Sequence, residues 1–127
     1  MSDWPRPISA VTLFVDDLDA CTSFYERVFD LPVYFHDDDS TVFKFGDVLI
    51  NLLNASEALE LVAPAHVAGA ESGVRMQFTL DVDDVDATVE RLRSMGVEML
   101  NGPVDRPWGV RTASFQDPSG HIWEIAH

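Results

Sequence analysis

The chain has 127 residues, of which 46% are hydrophobic and 24% are charged, and this composition indicates one globular domain with room for a hydrophobic core. Its 22 acidic and 8 basic residues give a net charge of −14, which argues against binding to nucleic acid or to anionic membrane surfaces and favours cationic ligands. A single cysteine, the lack of an apolar run of about 20 residues and an N-terminal segment without the hydrophobic stretch of a secretory signal predict a cytoplasmic protein.

An internal repeat organises the predicted elements. Residues 10–20 read AVTLFVDDLDA and residues 77–87 read QFTLDVDDVDA, and the two segments are identical at seven of eleven positions. Such a repeat indicates two modules that pack into one unit, because a module of about 55 residues is only marginally stable alone. The predicted single domain spans residues 1–127, with module one at about 8–54, a linker at 55–73 and module two at about 74–126.

The first module begins with an alternating strand at residues 10–15, and its wholly apolar face is expected to lie under a helix. Phe14 lies on the other face, which is expected to line a less dry space. Asp17 is a good N-cap for the helix that follows. The helix carries an apolar stripe of Leu18, Cys21, Tyr25, Val28 and Phe29. Strands are predicted at residues 33–36, 41–45 and 48–54.

The second module repeats this order after the linker, in which one helical turn is predicted at residues 57–61. Asp84 is its helix N-cap, and Gly96 is expected to end that helix. Strands are predicted at residues 97–101, 110–116 and 121–126, with a turn at residues 117–120 before the last of them.

This pattern resembles the vicinal oxygen chelate superfamily, which includes glyoxalase I, the bleomycin-resistance proteins and the extradiol dioxygenases. The motifs are VDDL at 15–18 followed by FYE at 24–26, DVDA at 84–87 followed by MGV at 95–97, and a closing PWGVR at 107–111 with DPSGHIWE at 117–124. The resemblance runs from about Ile8 to the C-terminus. It implies an α+β fold in which tandem βαβββ modules form curved mixed sheets around a cleft, as in glyoxalase and the bleomycin-resistance proteins, and it implies a homodimer.

The resemblance also assigns the usual metal-ligand positions to Ala10, Asn51, Gln77 and Glu124. Ala10 has no ligand atom, and the other three supply two carboxamides and one carboxylate. A divalent cation normally takes three or more protein ligands with adequate negative charge. No metal or other cofactor is therefore expected, and Gln77 and Glu124 are the ligands if a metal does bind.

The expected ligand-binding residues combine these positions with aromatic and charged neighbours. They are Phe14, Asn51, Gln77, Asp81, Trp108, Arg111 and Glu124. A carboxylate on a cavity wall needs a partner. For Glu124 that partner is an internal arginine, Arg111 or Arg75, or a cationic group of the ligand. The sequence assigns no catalytic residue.

Three functions remain open at this point. The first is a metal-independent binding protein that sequesters an aromatic or cationic small molecule. The alternative is a metal-dependent lyase, epimerase or dioxygenase that uses Glu124 and Gln77. The third is a metal-free enzyme or a domain whose ligand is regulatory.

Overall fold

The computed structural model describes residues 4–127, so Met1–Asp3 of the N-terminal segment considered above lie outside the described residues. The chain divides into two compact units, unit 1 ending at Val67 and unit 2 comprising Ala68–His127. The boundary falls inside the predicted linker at 55–73. The expectation of a single domain over residues 1–127 stays a prediction.

Unit 1 contains the first βαβββ module. Its elements are β1 (Ala10–Val15), α1 (Leu18–Phe29), β2 (Phe35–His36), β3 (Ser40–Phe45) and β4 (Val48–Asn54), followed by a 3₁₀ turn (Ala55–Glu57) and the short helix α2 (Leu59–Val62). The strand order is β1-β4-β3-β2, with β1 parallel to β4 and the other neighbours antiparallel. The predicted helical turn at 57–61 is thus divided between the 3₁₀ turn and α2.

Unit 2 contains the second module with the same topology. Its elements are a 3₁₀ turn (Ala70–Ser72), β5 (Gln77–Asp81), α3 (Val85–Ser94), β6 (Met99–Asp105), β7 (Arg111–Gln116) and β8 (Ile122–Ala126). The strand order is β5-β8-β7-β6, with β5 parallel to β8. Both sheets are therefore mixed, as the α+β prediction requires.

Helices α1 and α3 each begin directly after the aspartate predicted to cap them. The Oδ1 atoms of Asp17 and Asp84 accept hydrogen bonds from the backbone N–H groups of Ala20 and Ala87, both at 3.0 Å. These bonds satisfy backbone donors that the first helical turn leaves without a partner. Helix α3 ends as predicted at Gly96, whose φ of +83° suits a residue without a Cβ.

The core of each unit lies between its helix and one face of its sheet. In unit 1, α1 buries Cys21 and Tyr25 above the strand residues Val15 and Phe43, and the rings of Tyr25 and Phe43 stack at 5.6 Å. In unit 2 the helix α3 buries an apolar stripe, and Trp123 is 1% exposed with its ring 4.8 Å from that of Phe78. The other face of each sheet carries five of the candidate site residues, Phe14, Asn51, Gln77, Asp81 and Glu124.

Strand β6 differs from the prediction for residues 97–101, because it starts at Met99 and continues to Asp105 through a Gly-Pro pair. Its register with β7 shifts between Met99 and Asn101 and again between Asn101 and Val104. These shifts form a bulged segment, which takes up the extra residues and lets pairing resume. Gly102 lies in this segment with φ of +85°.

Candidate functional site

Three predicted site residues share the face of the unit 2 sheet opposite α3. Along β5 and β8, Phe78 pairs with Trp123 in the core, so Gln77, Asp81 and Glu124 lie on the other face by alternation. Strand β7 adds Ser114, whose register partner is Glu124. We call this surface the face opposite α3. It is the most polar sheet surface in unit 2.

Glu124 is half-buried on this face and has a neutral partner. The hydroxyl of Thr79 donates a hydrogen bond to its Oε1 at 2.9 Å, across the parallel pair of β5 and β8. Within residues 4–127, Glu124 forms no ion pair. Thr79 was not among the predicted site residues, although the alternation of β5 places it on the same face as Gln77.

The structure places Arg111 elsewhere. Its Nε and Nη2 each donate to Asp86 at 2.9 Å, and its Nη1 donates to Asp105 at 3.0 Å. Hydrogen bonds from Arg111 hold the pKa of Asp86 below its usual value, and the two carboxylates raise the pKa of Arg111. Arg111, one of the three partners considered for Glu124, is therefore not its partner: its guanidinium ties the start of α3 to the β6–β7 hairpin, because Asp86 lies on the helix.

Two residues of the β6–β7 turn are exposed to different degrees. Trp108 is 71% exposed at the turn, and its predicted role in ligand binding stays a prediction. Arg106 is half-buried, and its Nε donates to Thr112 Oγ1 at 2.9 Å while its Nη2 donates to Asn101 Oδ1 at 3.1 Å. Sequence analysis did not single out Arg106.

In unit 1, Phe14 and Asn51 lie on the sheet face opposite α1. Thr12 is the register partner of Asn51, and Asn51 Nδ2 donates to Thr12 Oγ1 at a long 3.5 Å. Asn51 Oδ1 is buried and has no hydrogen-bond partner among residues 4–127. Phe14 pairs with Leu53 on this face, and both are half-buried. This face therefore combines apolar side chains with polar groups, among them the Thr12 hydroxyl and an Asn51 amide oxygen that can accept a hydrogen bond.

The donor set does not fit a divalent metal ion. Of the four family positions, Ala10 offers nothing, Asn51 and Gln77 offer neutral oxygens, and the only carboxylate, Glu124, already accepts from Thr79. Across residues 4–127 no group of three or more His, Cys, Asp and Glu side chains is arranged to hold a metal. A site of this composition leaves a dication short of ligands and of negative charge.

With this geometry described, comparison with known proteins decides the family. The family model of the Glyoxalase/Bleomycin resistance protein/Dioxygenase superfamily matches residues 8–125. The chain belongs to this superfamily. The sequence resemblance is thereby confirmed, and so is the α+β fold with two four-stranded mixed sheets.

Individual relatives of the superfamily cover nearly the whole chain. The uncharacterized protein YraH of Bacillus subtilis is 31% identical over 91% of this chain and 93% of its own length. The fosfomycin resistance protein FosX of Listeria innocua is 25% identical over 93% of this chain and 86% of its own length. The crystal structure of lactoylglutathione lyase from Agrobacterium tumefaciens, 26% identical, aligns with a TM-score of 0.78 over 96% of this chain and 93% of that one.

The remaining expectations concern membrane association, oligomeric state and cellular location. In the part of the chain that the structure describes, no helix combines the length and the apolar character needed to cross a bilayer. The predicted homodimer and the predicted cytoplasmic location stay predictions.

Proposed function

We propose that this superfamily member binds a small organic molecule with a cationic group on the face opposite α3, and that it does so without a metal ion. The observation that carries the proposal is the surroundings of Glu124. Its carboxylate is half-buried, it accepts one hydrogen bond from a neutral hydroxyl, and no described residue supplies a countercharge.

A carboxylate partly withdrawn from water gains free energy from a cationic partner. Arg111 does not supply one, because Asp86 and Asp105 occupy its guanidinium. Arg75 is exposed and forms no ion pair with any described residue. Of the three partners considered from the sequence, a cationic ligand is the one that the contacts favour.

The net charge of −14 supports the same ligand class, because an acidic protein raises the local concentration of cations. An aromatic part of the ligand is also consistent with the chain. Trp108, at the β6–β7 turn of the same unit, offers an exposed indole. Aromatic side chains provide large contact areas and attract cations over their faces.

The alternative function is a metal-dependent enzyme that uses Glu124 and Gln77. The name of one relative, a lactoylglutathione lyase, favours an enzyme but states no metal. The donor set opposes it, because a single carboxylate with two carboxamides gives a dication too few charged ligands. We therefore prefer the binding protein.

The test compares two probes of the same shape, benzamidinium, which is cationic, and benzamide, which is neutral. We expect Glu124→Gln to weaken benzamidinium binding by about 10- to 100-fold and benzamide binding by less than about twofold, since a hydrogen bond to a charged group contributes about 1.5–3 kcal/mol. Glu98→Gln makes the same chemical change at an exposed position and is the matched control. Isothermal titration calorimetry at two salt concentrations measures each affinity, and benzamidinium binding should weaken as salt rises.

Two results would contradict the proposal. Equal losses of benzamidinium and benzamide in Glu124→Gln would show that charge plays no part. Stabilisation of the purified protein by about 3 kcal/mol or more with zinc, nickel, manganese or iron would show that a metal binds tightly and would favour the enzyme.

A further inference from the structure

The two arginines of the β6–β7 hairpin have opposite surroundings. Arg111 is held by two carboxylates, whereas Arg106 donates only to neutral oxygens of Thr112 and Asn101. No described residue forms an ion pair with Arg106, although the chain has 22 acidic residues for 8 basic ones. A half-buried guanidinium without a countercharge, in a chain with such an excess of carboxylates, points to a partner from outside the chain.

Arg106 reaches the same face as Glu124. Thr112, which accepts from its Nε, alternates with Ser114 along β7, and Ser114 is the register partner of Glu124. Asn101, which accepts from its Nη2, is the register partner of Ser114 on the other side. Strand β7 therefore separates the two charged groups, and two strand spacings of about 4.8 Å put β6 and β8 roughly 10 Å apart.

The guanidinium is also held in place with donors to spare. The backbone N–H of Arg106 donates to the Val110 carbonyl at 2.7 Å, and its own carbonyl accepts from Gly109 at 3.0 Å, so the residue is fixed at the hairpin turn. A guanidinium has five N–H bonds, and two of them account for the contacts with Thr112 and Asn101. The other three donate to none of the described residues, and a planar fork of this kind matches an oxyanion.

We infer that Arg106 binds an oxyanion group of the ligand on the face opposite α3. Combined with a cationic group at Glu124, this makes the preferred ligand zwitterionic, with its two charges separated by the width of β7. The zwitterion rests on the proposed function. Oxyanion binding at Arg106 does not, and it can be tested without any cationic group.

The experiment titrates benzoate and phenylphosphonate, with benzamide as the neutral control, into the full chain and follows the Arg106 Nε–H signal by NMR. We expect both anions to shift this signal saturably and benzamide to leave it in place. Arg106→Gln should weaken benzoate binding at least about tenfold, as expected for the loss of charge-assisted hydrogen bonds. Arg93→Gln, which removes the same charge from an exposed position on α3, should change it less than about twofold.

The outcomes separate this inference from the proposed function. No shift of the Arg106 signal with either anion, or equal losses in Arg106→Gln and Arg93→Gln, would overturn the oxyanion site. The NMR signal is read in the unmodified protein, so it answers the question even if Arg106→Gln fails to fold. Benzoate binding at Arg106 without benzamidinium binding at Glu124 would keep this inference and reject the proposed function, and the reverse would reject only this inference.

Discussion

Replacement of Gly102 by alanine tests whether the bulged segment of β6 lies so close to β7 that only a residue without a Cβ fits there. A Cβ at Gly102 would lie 2.4 Å from the Thr112 carbonyl oxygen and 2.7 Å from the Ala113 Cα, and both are backbone atoms of the adjacent strand. The left-handed φ of +85° costs an alanine about 1–2 kcal/mol, and forcing the strands apart costs about 1–3 kcal/mol more. We expect Gly102→Ala to lower the free energy of unfolding by about 2–5 kcal/mol.

Gly109 provides the matched control in the same hairpin. Its φ is +96°, and a Cβ there would meet nothing within 4 Å, so Gly109→Ala carries only the conformational cost of about 1–2 kcal/mol. Urea denaturation followed by far-UV circular dichroism measures both variants against the wild type. Equal destabilisation by the two alanines would refute the argument, because it would show that the contact with β7 adds nothing.

Two further predictions concern α3. Asp84→Ala removes the side-chain acceptor of the Ala87 N–H and should lower the free energy of unfolding by about 1 kcal/mol, measured by urea denaturation at neutral pH; no loss would contradict the capping role. Asp86→Asn should destabilise the protein at neutral pH, because Arg111 holds the pKa of Asp86 below its ordinary 3.8. The ionised carboxylate therefore stabilises the fold above pH 3.8, and this contribution is lost as the pH falls through the folded-state pKa. Thermal melts from neutral to acidic pH should show the melting temperatures of the wild type and Asp86→Asn converging in acid. A difference in melting temperature that does not depend on pH would contradict the ion pair.

The repeat allowed most of the fold to be predicted, because each module shows its elements by local rules. The alternation of apolar residues predicted β1 and β5. Asp17 and Asp84 predicted the helix starts, because a capping side chain accepts a hydrogen bond from a backbone N–H only three residues further along the chain. The course of β6 was not predictable in this way. Gly102 and Pro103 are strand breakers in isolation, and only pairing with β7 around the bulge keeps them in the strand.

The candidate site divides along the same line. Alternation within β5 and β8 placed Gln77, Asp81 and Glu124 on one face, since the count of residues along a continuous strand fixes the face. Counting residues does not place Arg106 and Arg111 on a face in the same way. The register of β6 shifts twice before Arg106, and a turn separates Arg106 from Arg111. Which of the two arginines meets the carboxylates is decided by contacts between strands and with α3, and the sequence does not encode these as a local pattern.

An anion can bind on the face opposite α3 of this acidic chain, because charges in contact act more strongly than charges at a distance. Beyond the Debye length of about 8 Å at physiological ionic strength, screening weakens the repulsion between the acidic surface and an anion. In contact, a guanidinium and an oxyanion about 4 Å apart attract each other with about 4 kcal/mol at an effective dielectric constant of about 20. A single cation such as Arg106 can therefore bind an anionic group on a chain of net charge −14. If Arg106 and Glu124 paired with each other, neither would be available to a ligand. Their separation by β7 keeps one positive and one negative group open on the same surface.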